Sequence, residues 1–234
     1  MTLSRTDASS QLDGAGLRAK RALGQNFVVD ANTVRRIARL ADVENHPHVL
    51  EIGAGLGSLT LALAEIATGV TAIEVDEALL PLLNENVGEL ANVTVVHADA
   101  MQLDWPALLG EHTDWVLVAN LPYNISTPLL FRLLELGNRV AQMCFMVQKE
   151  VADRLVARPG TGDYGRLAVM TQAFCSTGVA LDVPPEAFAP PPRVDSSVVL
   201  LRPLPPPPCG FTTLGKLVAE AFLHRRKMLR QTLA

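Results

Sequence analysis

The 234-residue chain has no apolar run approaching the roughly 20 residues that cross a bilayer. Its first twenty residues also lack the apolar core of a secretory signal. Both absences favour a soluble, cytoplasmic protein with no membrane partner. Cysteine is scarce, with three residues at positions 144, 175 and 209 and no metal-ligand spacing among them. An odd, scattered set argues against a disulfide framework and against a zinc site, so no metal is expected. Overall positive charge is lacking too, and a net charge of −4 by itself counts against a nucleic-acid partner.

What is present modifies that last reading. Apolar residues make up 49% of the chain, enough for a sizeable core. Residues 1–39 hold seven Lys/Arg against three Asp/Glu, and residues 225–234 hold four Lys/Arg and no acid. Each end is therefore +4, which leaves −12 on the stretch between. Basic ends on an acidic body form a phosphate-binding surface if the fold brings them together. Residues 1–17, rich in Ser, Asp, Gly and Thr, read as a disordered tail. Asp30 is a good N-cap for a helix carrying Val34, Ile37, Ala38 and Ala41 at helical spacing.

Strands and helices then alternate. His48–Ile52 reads as a strand running into Gly53-Ala54-Gly55-Leu56-Gly57, with an apolar helix beginning near Ser58. A strand, glycine loop and helix let a ligand approach the backbone closely. The third glycine comes one position early for the dinucleotide fingerprint, and Ser58 stands in its place. Val70–Val75 is a second strand with Glu74 near its end, where a carboxylate can accept hydrogen bonds from ribose hydroxyls. Val93–His97 leads to Asp99, which could accept from an adenine amino group or simply cap a helix. Gly53, Glu74, Asp99 and Asn120 thus fall at four successive strand ends, where open α/β sheets bind ligands.

The fourth strand, Val116–Ala119, ends in Asn120-Leu121-Pro122-Tyr123-Asn124-Ile125-Ser126. Pro122 fixes the backbone and pushes Leu121 towards an extended conformation. The Asn120 amide and the Leu121 carbonyl then offer two acceptors beside the flat ring of Tyr123. That set suits an exocyclic amino group on a planar base. Met143–Val147 makes a fifth buried strand, and Val179–Val183 and Ser197–Leu201 a closing pair. Ten of the sixteen prolines fall between Pro184 and Pro208. The first cluster reads as a rigid loop over the site, and residues 203–209 read as a linker. Leu214, Leu217, Val218, Ala221 and Phe222 then form one face of a helix ending in His224-Arg225-Arg226-Lys227. The pattern predicts a doubly wound, Rossmann-like α/β domain of seven strands over residues 18–202, its last pair closing antiparallel.

Gly24-Gln25-Asn26-Phe27, Glu51 through Gly57, Asn120 through Ser126, Phe188 through Ser196 and His224 through Lys227 together resemble the ribosomal RNA adenine dimethyltransferases. The likeness covers residues 20–234 and is greatest to the bacterial members that act on the small subunit. It implies a class I methyltransferase fold, S-adenosylmethionine as cofactor, and two adjacent adenosines near the 3′ end of 16S rRNA, in the 30S particle, as substrate. Each adenosine would receive two methyls on N6 during ribosome biogenesis, from an enzyme acting as a monomer. Carried over by position, Asn26, Val28, Gly53, Glu74, Asp99 and Asn120 would contact the cofactor, with Gln25, Glu51 and Gly55 beside them. Asn120, Leu121, Pro122 and Tyr123 would hold the target base, with Phe188 closing its other face. Lys20, Arg21, Arg225, Arg226 and Lys227 would meet RNA phosphates. Ala54 stands where the family usually has proline. The family also continues into a small helical domain, of which residues 210–234 would be the beginning. The resemblance extends to enzymes that methylate adenine in 23S rRNA and confer macrolide resistance, but Leu121, where that group tends to carry isoleucine, and the His-Arg-Arg-Lys helix favour the small subunit. A ribosome-assembly factor whose binding outweighs its catalysis is the non-enzymatic alternative.

Overall fold

The computed structural model describes residues 2–20, 23–122, 124–223 and 228–232. In chain order the elements are α1 (Arg5–Gly14), β1 (Phe27–Val28), α2 (Ala31–Leu40), β2 (His48–Ile52), α3 (Ser58–Ala64), β3 (Val70–Glu74), α4 (Leu80–Val87), β4 (Val93–His97) and α5 (Trp105–Leu109). Then come β5 (Trp115–Asn120), α6 (Ser126–Leu134), β6 (Val140–Gln148), α7 (Lys149–Val156), α8 (Arg166–Phe174), β7 (Cys175–Val183), β8 (Phe188–Ala189), β9 (Ser196–Pro203) and α9 (Gly210–Leu223). Seven strands form one sheet in the order β4-β3-β2-β5-β6-β9-β7. Neighbours from β4 to β6 are parallel, and β9 runs antiparallel to both β6 and β7. The doubly wound sheet with an antiparallel closing pair is as the sequence pattern predicts.

The central strands are apolar on both faces because helices cover both. On β5 every residue from Trp115 to Ala119 is buried. Leu117 and Ala119 face one core with Leu129, Leu133 and Phe145, while Val116 and Val118 face the other with Val34, Ile37 and Leu63. The chain order reverses between β2 and β5, which lie side by side. The crevice outside their C-terminal ends is the topological switch point, where such sheets place a ligand.

Two expectations about the periphery are corrected. Residues 1–17 are not a structureless tail, because α1 is a capped and docked helix. Ser4 and Asp7 form a reciprocal capping box, which satisfies two N-terminal N–H donors. Ala8 is buried, and Leu3, Leu12 and Leu17 pack with Phe27, Leu56 and Leu79. Gln11 and Asn86 exchange amide hydrogen bonds of 2.7 and 3.0 Å, and Arg5 donates to the Glu186 carbonyl at 2.6 Å. Polar docking of this kind leaves a low apolar content that composition alone reads as disorder.

The proposed linker is shorter at its start, since Pro203 is the last residue of β9 and pairs with Cys175. The helix beyond it packs on the main domain. On α9, Phe211 meets Phe174 and Phe131 with ring centroids 5.2 and 6.2 Å apart, Phe222 meets Tyr164, and Val218 is buried in the main core. The apolar face that one helix cannot bury alone is covered by α6 and α8.

The glycine loop connects this fold to the site. Gly57 caps α3 at φ 90°, and a Cβ added there would stand 3.0 Å from Leu83 and 3.1 Å from Val87 on α4. Its freedom serves helix packing as well as the turn. Gly57→Ala should therefore cost about 1–3 kcal/mol, through left-handed strain and the crowding of α4. A urea midpoint equal to that of the unaltered chain would contradict this account.

Candidate active site

The crevice holds a cavity lined by residues from four places in the chain. Segment 23–28 covers one side, and Glu51 with the Gly53–Leu56 loop forms another. Glu74 and Val75 come from the end of β3, Leu79 from the helical turn before α4, and Asn120 and Pro122 from the end of β5. Of the expected residues, Gln25, Asn26, Val28, Glu51, Gly53, Gly55, Glu74, Asn120 and Pro122 meet here.

Segment 23–28 is held over the cavity by two attachments. Phe27 and Val28 form a short antiparallel ladder with β8, pairing with Ala189 and Phe188. Upstream, Asp76 gathers the chain: its carboxylate accepts from Lys20 Nζ at 2.7 Å and from Gln25 Nε2 at 2.8 Å, while the Lys20 N–H donates to Gln25 Oε1 at 2.8 Å. Burial pushes the Asp76 carboxyl up, but these bonds and the Ala78 N–H outweigh it and hold it below its usual range. Asn120 closes the arrangement, donating from Nδ2 to the Asn26 carbonyl at 2.8 Å. A carbonyl only accepts, so the amide nitrogen must face it, and Oδ1 is left without a partner among the described residues.

The two acids have distinct surroundings. Glu74 accepts from Gly55 N–H at 2.7 Å, Val75 N–H at 3.0 Å and Asp76 N–H at 2.8 Å. A carboxylate has about four lone-pair positions, so these three donors leave one, on Oε2. Burial raises its pKa against the lowering effect of these three donors. Glu51 is 1% exposed and is bonded to Thr60 Oγ1 at 2.5 Å. Burial lifts its carboxyl to about 8, with Thr60 opposing and the Glu74 charge adding to the rise.

No Lys, Arg or His side chain is among the described residues that line the cavity. Two acids without a cation suit a positively charged ligand and oppose the pyrophosphate of a dinucleotide. A Cβ added at Gly53 would meet nothing within 4 Å, so the backbone there stands open to the cavity. Val75 is apolar yet 43% exposed, and with Leu79 it gives an apolar wall beside Glu74. The sequence reading passed over both; an apolar residue directly after a strand-end acid was the available signal.

Other expected residues lie elsewhere. Asp99 does not line the cavity; its carboxylate accepts from Met101 N–H at 2.8 Å and Gln102 Nε2 at 2.9 Å within the turn after β4, while the helix cap falls to Asp104 instead. Phe188 is 0% exposed in the core that contains Val28, Val183 and Val198, so its ring is closed to a base in this structure. β8 pairs with β1, and that pairing carries the ring inward. The Leu121 side chain is core, and its N–H donates to the Met146 carbonyl at 3.0 Å. Lys20, expected on phosphate, directs its ammonium to Asp76. Tyr123, Arg21, Arg225, Arg226 and Lys227 lie outside the described residues. Cys144 and Cys175 are buried thiols whose pKa burial pushes up to about 12. His48, His112 and Asp114 bring possible ligand atoms within 4.8 Å of one another, but at the opposite ends of β2 and β5 from the cavity.

Fold and cavity together define the class: a Rossmann-like, S-adenosylmethionine-dependent methyltransferase, whose cationic cofactor fits the acid-lined crevice. The O-methyltransferase TomG from Streptomyces achromogenes shares the fold at 17% identity, with a TM-score of 0.57 over 84% of this chain and 88% of that one. A sequence model described as ribosomal RNA adenine dimethylase matches residues 16–234, and the chain belongs to that family. Ribosomal RNA small subunit methyltransferase A of Phenylobacterium zucineum is 46% identical over 95% of this chain and 78% of its own length. Its counterpart in Hahella chejuensis is 42% identical over 94% of this chain and 82% of its own. Among solved structures, a dimethyladenosine transferase from Plasmodium falciparum matches with a TM-score of 0.75 at 28% identity, over 88% of this chain and 74% of that one. The 23S rRNA methyltransferase ErmE matches with a TM-score of 0.71 at 30% identity, over 89% of this chain and 83% of that one.

Glu51 makes a pH prediction. Its folded pKa is raised, so the stability gained by burying the neutral acid is complete below its ordinary 4.5 and is lost as pH climbs through about 8. Glu51→Gln cannot ionise and should lose less stability than the unaltered chain between pH 5 and pH 9. Parallel urea midpoints for the two proteins across that window would remove the assignment.

Proposed function

We propose that this protein transfers two methyls to N6 of each of two adjacent adenosines near the 3′ end of 16S rRNA, acting as a cytoplasmic monomer on the 30S particle. The observation that carries the reading is the Asn120 amide, fixed by the Asn26 carbonyl so that Oδ1 is the acceptor left open at the cavity. The curated relatives at 42–46% identity support the small-subunit assignment.

S-adenosylmethionine supplies a methyl already activated on sulfonium, so the protein needs alignment more than a strong base. Glu74 offers its remaining lone pair to a ribose hydroxyl, and Val75 and Leu79 give an apolar face to a purine. Glu51 sits where ionisation would be favoured by the cofactor's positive charge. Gly53 lets the backbone approach closely, while Asn26 and Val28 cover the cavity from the N-terminal side.

On the substrate side, an adenine amino nitrogen is a poor nucleophile because its lone pair is conjugated with the ring. Asn120 Oδ1 and the Leu121 carbonyl accept its two hydrogens and favour a more tetrahedral nitrogen, its lone pair turned towards the methyl. Pro122 keeps the two acceptors at a fixed spacing. Tyr123 is the residue assigned to stack on the extruded base; such stacking is worth roughly 1–3 kcal/mol, comparable to the few kcal/mol of extrusion.

Methyl transfer from labelled S-adenosylmethionine to unmethylated 30S particles, with the product nucleoside identified, tests the reading. Dimethyladenosine in 16S rRNA is expected. The likeness to ErmE motivates a parallel arm with 23S rRNA, and labelling there alone would replace the proposal. Asn120→Ala should lower turnover on 30S particles by about 100-fold or more while RNA affinity stays near that of the unaltered chain. Near-normal turnover would show that the acceptor role lies with another group.

A further inference from the structure

Beside the cofactor cavity lies a second, wider groove that shares Gly24, Gln25 and Asn26 with it. Its sides come from α1, the segment after α1, and the proline turn that follows β8. Three arginines, Arg5, Arg18 and Arg193, line it against one acid, Asp13. A locally positive groove is notable in a chain of net charge −4, next to a cavity lined by acids.

The arginines have different tasks. Arg5 is fixed on the Glu186 carbonyl and ties α1 to the turn before β8. Arg18 and Arg193 are exposed and make no ion pair or hydrogen bond with any described residue. They face the groove from opposite parts of the chain, 175 positions apart in sequence. Gln148 lines the same groove at the end of β6, two residues beyond Met146, the partner of Asn120. Its side-chain amide has no partner among the described residues. The proline wall at 190–192 has no N–H to offer, so polar recognition falls to these side chains.

Building on the rRNA reading, we propose that this groove carries the single strand flanking the target adenosine, with Arg18 and Arg193 on its phosphodiesters and Gln148 on the neighbouring base. A base held at Asn120 remains covalently attached to its strand, which must leave through an adjoining opening. The acid-lined cavity repels phosphate, whereas the groove next to it attracts phosphate. A glutamine amide pairs its donor and acceptor with the N7 and N6 edge of adenine. That edge is what the second of two adjacent adenosines would present.

The test uses the full chain and its Arg18→Ala/Arg193→Ala, Arg18→Lys/Arg193→Lys and Gln148→Ala variants. The double alanine variant should raise the KM for 30S particles at least tenfold, with unchanged kcat and unchanged calorimetric affinity for S-adenosylmethionine. In filter binding to single-stranded RNA, the slope of log K against log salt should fall by about 1.4, two contacts at roughly 0.7 each. The double lysine variant should restore that slope. Gln148→Ala should keep the slope and lower the yield of the second dimethyladenosine relative to the first. An unaltered KM and slope in the double alanine variant would overturn the groove assignment. Absence of methyl transfer by the unaltered chain would instead overturn the underlying reading, and the salt slopes would still decide the groove.

Discussion

One hydrogen bond, from Asn120 Nδ2 to the Asn26 carbonyl, joins the parts on which the site depends. It spans 94 positions of sequence, so its geometry is a product of the whole fold. On one side it needs β5 seated in the centre of the sheet, with Leu121 bonded to Met146 to fix the strand end. On the other it needs segment 23–28 brought over the crevice. The β1–β8 ladder and the Asp76 cluster supply that, from opposite ends of the segment. Each support alone is a modest interaction of about 1 kcal/mol for a neutral hydrogen bond, somewhat more for a charged one. Together they orient an amide without enclosing it, which leaves Oδ1 available.

Electrostatics divides the neighbourhood into two compartments. The cavity holds Glu51 and Glu74 and no described cation. Burying a carboxylate without a cation is costly, and the fold offsets that cost differently for each acid. Glu74 receives three backbone donors, the arrangement that best stabilises a charge without adding one. Glu51 has a single hydroxyl donor and stays largely neutral instead, its carboxyl raised to about 8. A cavity so arranged favours a ligand that brings its own positive charge, and that charge stabilises both ionised acids. The glycine loop departs from the dinucleotide spacing by one position, and the charge of the cavity points the same way.

Much of the fold and part of the site were legible in the sequence, for identifiable reasons. Parallel strands are short runs rich in apolar and β-branched residues, so His48–Ile52, the edge strand Val93–His97 and the fully buried Val116–Ala119 stretch could be read directly. Polar residues at the ends of such runs have few structural reasons to be there, so Glu74 and Asn120 stood out, and Gly53 did so by opening a glycine loop between a strand and a helix. Elements held by polar docking or by two-residue ladders leave no periodicity. The Gln11–Asn86 amide pair that fixes α1 and the β1–β8 ladder are therefore absent from any local pattern. Phe188 shows the same limit. The family resemblance placed it on the second face of the target base, but pairing with Val28 turns the ring into the core. Asp99 shows it too: its carboxylate is taken up by donors of the turn after β4, neither at the cavity nor at a helix N-terminus, because only the turn geometry decides which donors a strand-end carboxylate meets.

The same long-range connections explain why opposite charges can work so close together. Cavity and groove share only Gly24, Gln25 and Asn26, none of which is charged. Charges a few ångströms apart in a protein surface interact by several kcal/mol, so a shared cation or acid would bias both compartments. Lys20, just upstream on this segment, is paired with Asp76. Among the described residues the dividing wall is therefore built from amides and backbone, and the Lys20 ammonium upstream of it is paired with Asp76. Gln25 shows how economical this is: one amide accepts from the Lys20 backbone, donates to Asp76, and presents no charge to either side. A cationic cofactor and an anionic strand can then meet at Asn120, each held by a compartment of opposite sign.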